Sequence, residues 1–218
     1  MRWYQPVARK VEFPGRKNAH GAIRLSHNQS LALSPARRAA FDVLRKVDQG
    51  AHAMDTLLKF ARDLDSRDAG LAWQLVFGIL RNRGQLDYTI QHYAGRALTL
   101  DADAANALRM GIFQIRYLKS IPVHAAVMES VEFVKRAHKR SASGLVNAIL
   151  RKVNRAQIRW PDRSTELSCP EWLLKSWDRQ FGTSAAFGIA KAALEEPPVY
   201  VRVPSGSEAP EDFDPTDV

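Results

Sequence analysis

The chain has 218 residues, 45% of them hydrophobic, which is enough for a sizeable core and excludes global disorder. No apolar run is long enough to cross a bilayer, the first thirty residues lack a secretory apolar stretch, and the single cysteine excludes an internal disulfide, so a cytoplasmic protein without a membrane partner is expected. The net charge is +9, which directs attention to polyanionic partners.

Residues 1–33 hold neither a helix nor a strand period and are punctuated by Pro6, Pro14, Gly15 and Gly21, which predicts a flexible basic arm. Order begins at Ser34-Pro35, a helix-start pair, and Phe41, Val43, Leu44 and Val47 give that helix an apolar face before Gly50. A second helix carries Met54, Leu57, Leu58, Ala61 and Leu64. Asp65 or Ser66 caps a third, with Ala72, Leu75, Val76, Ile79 and Leu80 on one face and Gly84 as its stop. A short fourth helix runs through Leu86 and Ile90. Asp101 caps a fifth, with Leu108, Ile112, Ile115 and Leu118 at helical spacing, and Ile121-Pro122 marks a turn. Val127, Val131 and Val134 belong to a sixth helix. After a break from Ser141 to Gly144, a seventh carries Leu145, Val146, Ile149, Leu150 and Val153.

The composition shifts at residues 159–165. Beyond it, Ser168 and Glu171 have the spacing of a capping box around Cys169-Pro170, and Trp172, Leu173, Trp177 and Phe181 supply the expected buried side of the next helix. A last helix starts at Thr183 or Ser184 and ends before Pro197-Pro198. Val199 to Val203 is the one strand-like run, and an acidic, Pro-rich tail follows. The expected architecture is an all-α bundle: an arm at 1–33, a helical domain at 34–160, two bridging helices within 161–204, and a flexible tail at 205–218.

Charge follows these divisions, with +5 on residues 1–33, +10 on 34–163, −1 on 164–204 and −5 on 205–218. A folded domain that accumulates positive charge repels itself, so the excess on the helical middle points to RNA or another polyanion. Arg37 and Arg38 sit in the first turn of a helix, where cations oppose the helix dipole, and phosphate contact would account for them. Arg81 and Arg83 stand at the end of the third helix. Lys135, Arg136, Lys139 and Arg140 form one block, read as lying on shared helical faces, and Arg151, Lys152 and Arg155 form another. Arg116 and Lys119 complete the candidate set. Aromatic residues fall mostly at core spacing, so backbone and shape readout is expected rather than base stacking. Asn147, in the middle of an apolar helix, is expected to make a buried contact between helices.

The order of motifs has a family resemblance. The run SPARRAAFDVL from Ser34 resembles the first helix of the NusB-like fold. LVFGILRNRG ending at Gly84, then RMGIFQIRYL from Arg109 and IPVHAAV from Ile121, resemble later helices of that fold as it occurs in methyltransferases. GLVNAILR from Gly144 is the most specific piece, and CPEWL from Cys169 and EPPVYVRV from Glu196 look like the bridge into a catalytic part. Together, over residues 34–203, these resemble the N-terminal region of the Sun/Fmu (RsmB-type) ribosomal-RNA cytosine-5 methyltransferases.

The resemblance implies a NusB-like domain that positions ribosomal RNA, bridging helices that lead towards a methyltransferase domain absent from this sequence, and S-adenosylmethionine as cofactor only where such a domain is supplied, in cis or in trans. A ribosomal protein is a further partner it implies. No catalytic, cofactor-binding or metal residue is assigned. The glycines lie in no strand–turn–helix context, Cys169 precedes Pro170 instead of following a proline, and the six histidines form no pair at helical spacing. A stand-alone antitermination factor and a helical protein-interaction module are the alternatives.

Overall fold

Proline at the first helical position, carboxylate caps and short polar loops punctuate an apolar pattern of helical period, and the helices form where that pattern runs. The computed structural model describes residues 2–6, 33–197, 200–208 and 213–216. The chain divides into two units, one of residues 32–195 and one of residues 1–31 with 196–218.

The larger unit contains α1 (Pro35–Asp48), α2 (Ala53–Phe60), α3 (Ser66–Arg81), α4 (Arg83–Ala94), α5 (Ala102–Tyr117), α6 (Val123–Arg136), α7 (Ser143–Lys152), the short α8 (Arg163–Glu166), α9 (Glu171–Phe181) and α10 (Thr183–Ala192). Asp65 caps α3 by accepting from the Asp68 N–H at 2.7 Å, and Asp101 caps α5 by accepting from the Asp103 N–H at 3.1 Å, as the sequence predicts. Helix α5 is the axis of the bundle. Every residue from Ala104 to Ile115 is buried, not only the apolar stripe its period shows, because α1, α3, α4, α6 and α7 pack around it.

Burying a helix on all sides requires Gly111, where an added Cβ would meet the Leu150 methyl groups at 2.6 and 2.7 Å. It also buries Asn106, Arg109 and Gln114, and each of these polar side chains is hydrogen-bonded.

Several expectations are corrected. Helix α2 ends at Phe60, so Ala61 and Leu64 lie in the turn after it, and Leu58 is exposed. Gly84 does not stop α3. The helix ends at Arg81, and Gly84 lies in α4, where the Ser168 Cα would stand 3.2 Å from an added Cβ. Ser168 forms no capping box with Glu171. It sits at φ 47°, and its Oγ accepts from the Gly84 N–H at 2.7 Å. On α9 the buried residue is Leu174, packed with Leu167 and Ala190 beside half-buried Trp177, while Trp172 and Phe181 are exposed.

The bridging segment packs on the bundle through α4. Gln85 donates to the Glu166 carbonyl at 2.5 Å and accepts from the Tyr117 hydroxyl at 2.6 Å, and Tyr88 meets Trp160 edge to face. Residues 161–195 therefore share a unit with 34–160.

In the smaller unit, β1 (Arg2–Pro6), β2 (Val201–Val203) and β3 (Phe213–Pro215) form an antiparallel sheet of order β2-β1-β3, with Trp3 opposite Arg202 and Gln5 opposite Asp214. The arm and the tail thus each contribute a strand: β1 is the central strand, and the strand-like run near residue 200 and the tail strand pair with it on its two edges. The rest of the arm, residues 7–32, lies outside the described residues.

Candidate nucleic-acid interface

The thirteen cations singled out in the sequence have different roles in the fold. Arg37 is held inside the bundle. Its Nε donates to Gln114 Oε1 on α5, and its Nη1 donates to Glu129 Oε1 on α6 at 3.0 Å. Glu129 also accepts from the Ser34 N–H at 3.2 Å, so one carboxylate ties the start of α1 to α6. The Arg37 side chain is only 12% exposed, so its partners in the bundle, and not a phosphate, account for its first-turn position.

Arg83 joins a second chain of bonds, buried in its middle at Asn106 and Arg109 and exposed at its ends. It donates to Asp48 at 2.9 Å, Asp48 accepts from Asn106 at 2.8 Å, Asn106 accepts from Arg109 at 2.9 Å, and Arg109 donates to both Asp87 oxygens at 2.6 and 3.1 Å. Arg116 donates to the Asn154 and Ala156 carbonyls, and Arg155 donates to the Ile115 carbonyl, so this pair fastens the loop after α7 to the end of α5.

Four more are surface partners of polar or acidic side chains. Lys135 and Arg136 lie 3.7 and 3.3 Å from Glu132, and Lys139 lies 2.9 Å from Asp101. Arg151 donates to Asn147 within α7 at 3.1 Å, so Asn147 makes an intrahelical contact instead of the expected interhelical one. The bond to Asp101 lowers that carboxyl and raises the Lys139 ammonium relative to their ordinary values. Lys139 and Arg140 do not share helical faces with Lys135 and Arg136. Helix α6 ends at Arg136, and His138 turns the chain at φ 59° into a short 3₁₀ turn (Arg140–Ala142).

The side chains of the remaining five, Arg38, Arg81, Lys119, Arg140 and Lys152, make no hydrogen bond or ion pair among the described residues. Arg38, Lys119, Arg140 and Lys152 are exposed, and Arg81 is half-buried.

One place brings predicted residues together. Arg38, Asp42 and Arg45 lie at i, i+4 and i+7 on the outer face of α1, and with Arg136, Ala137, Leu33, Phe41 and Phe133 they line a cleft of about 180 Å³ between α1 and the end of α6. The Phe41 and Phe133 rings stack beneath it with centroids 4.6 Å apart. Arg45 also pairs with Asp103 at 2.7 Å. Burial raises the Asp42 carboxyl above its ordinary range, while Arg38 and Arg45 pull it back. Arg45 was missing from the sequence candidates, although its i+7 spacing from Arg38 is a signal that could have found it.

Burial raises the Cys169 thiol against the opposing pull of Arg163, and a raised thiol disfavours the thiolate a nucleophile needs. Gly78 and Gly111 lie within helices against Phe113 and Leu150. No described helix is long and apolar enough to cross a membrane.

Residues 34–155 match the model of the NusB family. Over 179 residues the chain is 35% identical to the "Probable ribosomal RNA small subunit methyltransferase B" of Bacillus subtilis (strain 168), covering 77% of this chain and 40% of that protein. The "Ribosomal RNA small subunit methyltransferase B" of Pectobacterium atrosepticum is 33% identical over 170 residues, 76% of this chain and 39% of that protein. The chain thus spans about two-fifths of the length of these relatives. Among solved structures, "Crystal Structure of a Plectonemic RNA Supercoil" contains a chain with a TM-score of 0.50 and 25% identity, covering 54% of this chain and 90% of that one.

Proposed function

The chain belongs to the NusB family, and on that premise we propose that its helical unit binds ribosomal RNA and holds it for methylation of a cytosine at C5. The observation that carries this reading is the arginine-rimmed cleft between α1 and α6, on a unit whose relatives are named ribosomal RNA methyltransferases. Phosphates neutralise clustered cations and release counterions, so a basic rim is useful on such a unit. The described residues position the RNA. The methyl transfer and S-adenosylmethionine belong to a methyltransferase domain, in the same chain or supplied in trans. A ribosomal protein is a further proposed partner, and the cytoplasm is the proposed compartment.

A salt titration tests the reading. The full chain is bound to fluorescently labelled small-subunit ribosomal RNA fragments while ionic strength is varied. Roughly six phosphate contacts give a log–log slope of about −4 to −5. A slope near zero, or equal affinity for a neutral polymer, would overturn it.

A further inference from the structure

The α1–α6 cleft has an acceptor with nothing to accept. Asp42 is half-buried among Leu33, Phe41, Phe133 and Ala137, yet its carboxylate accepts no hydrogen bond among the described residues. Arg38 and Arg45 act on it only through their fields, and Arg45 is ion-paired with Asp103. A partly desolvated carboxylate without a donor costs free energy, and a ligand bringing N–H groups would recover it. The cleft is smaller than the usual pocket for a drug-sized ligand, and its volume of about 180 Å³ suits a group the size of one nucleobase.

We propose that this cleft takes a single unpaired guanine of the bound RNA, with Asp42 accepting from its Watson–Crick edge and Arg38 and Arg136 meeting the flanking phosphates. The inference rests on the reading of the unit as an RNA binder. Guanine fits because its N1–H and N2 amino group present two adjacent donors, which match the two oxygens of one carboxylate. Adenine and cytosine set one amino group beside a ring acceptor that would face the carboxylate, and uracil sets one N–H between two carbonyls. The apolar wall and the guanidinium planes suit the faces of an unstacked base, which is the form in which RNA sequence is read.

The test uses the full chain and fluorescence anisotropy with uridine decamers that carry guanosine, inosine, adenosine or uridine at one central position. The guanosine oligomer should bind about tenfold more tightly than the all-uridine one, with inosine, which lacks the N2 amino group, in between. Asp42→Asn should abolish the preference and leave the salt slope unchanged. The base substitutions probe the unaltered protein, so the outcome does not depend on how the variant folds. Equal binding of all four oligomers overturns the guanine site, and so does a uniform gain in affinity for Asp42→Asn with the preference intact, since Asp42 would then only tune the field. If structured ribosomal RNA binds with a steep salt slope while the four oligomers bind alike, the guanine site falls and the RNA reading stands. If no RNA binds, both fall.

Discussion

The inner and outer faces of α1 use the same residue types to opposite ends. On the inner face, Arg37 reaches Gln114 and Glu129, and at the end of the helix Asp48 reaches Arg83 and Asn106, so every charge meets fixed partners on α4, α5 or α6. On the outer face, the Arg38 side chain has no hydrogen-bonded partner and the Asp42 carboxylate accepts no bond among the described residues. A buried charge is tolerated only when paired, so the inner set locks the helices in register. An outer charge can stay unpaired because water solvates it, and that leaves it available to a ligand.

The sharpest test of the inner set is Arg109→Ala, which strips Asp87 and Asn106 of their donor. Unfolding in urea should show a loss of about 2–4 kcal/mol, towards the lower end because Asp87 is partly exposed. A loss below about 0.5 kcal/mol would mean that the chain from Arg83 to Asp87 is ornamental.

Next is the direct contrast between neighbours. Arg37→Gln should cost about 1–3 kcal/mol of stability, since Glu129 and Gln114 lose a charged donor, while RNA affinity of the folded protein stays close to the original. Arg38→Gln should reverse the pattern, with stability unchanged within about 0.5 kcal/mol and a salt slope shallower by about one. If both variants lose affinity equally at a temperature where both are folded, the distinction between the two faces fails.

Ser168→Ala extends the comparison to the junction between α4 and the bridging segment, where the Gly84 N–H would lose its acceptor. The expected cost is about 1 kcal/mol by thermal or chemical melting, with no change in RNA affinity.

The smallest effect belongs to Asp42→Asn. The folded chain holds the Asp42 proton more tightly than the unfolded chain does, so the charged form costs stability at neutral pH, and that cost fades as pH falls through the raised folded value. The variant should therefore melt slightly higher at neutral pH, on the order of 1 °C after solvent screening, and show no gain in acid. A variant that melts lower at neutral pH would show that the carboxylate stabilises the cleft.

Much of the helical architecture was legible because its signals are local. The proline of Ser34-Pro35 and the side chains of Asp65 and Asp101 act within one turn, and the apolar spacing around Leu75, Ile79, Leu108 and Ile112 reads directly as buried faces. The site was less legible. Thirteen cations could be named, yet no local rule separates Arg37 from Arg38, or shows that Arg116 and Arg155 are spent on carbonyls more than thirty residues away in sequence. Ser168 and Glu171 have the spacing of a capping box, but the approach of Gly84 redirects the serine.

The sequence by itself determined where the helices start, which stripes are apolar and that the excess charge sits on the folded middle, because dihedral preference, helical period and net charge need no knowledge of neighbours. Only the tertiary structure decided that α5 is buried on every side, that Arg37 faces inward, that β2 and β3 flank β1 in one sheet, and that Arg38, Asp42, Arg45 and Arg136 meet at one cleft. Burial and pairing depend on which distant segments pack against a residue, and that is a property of the assembled bundle.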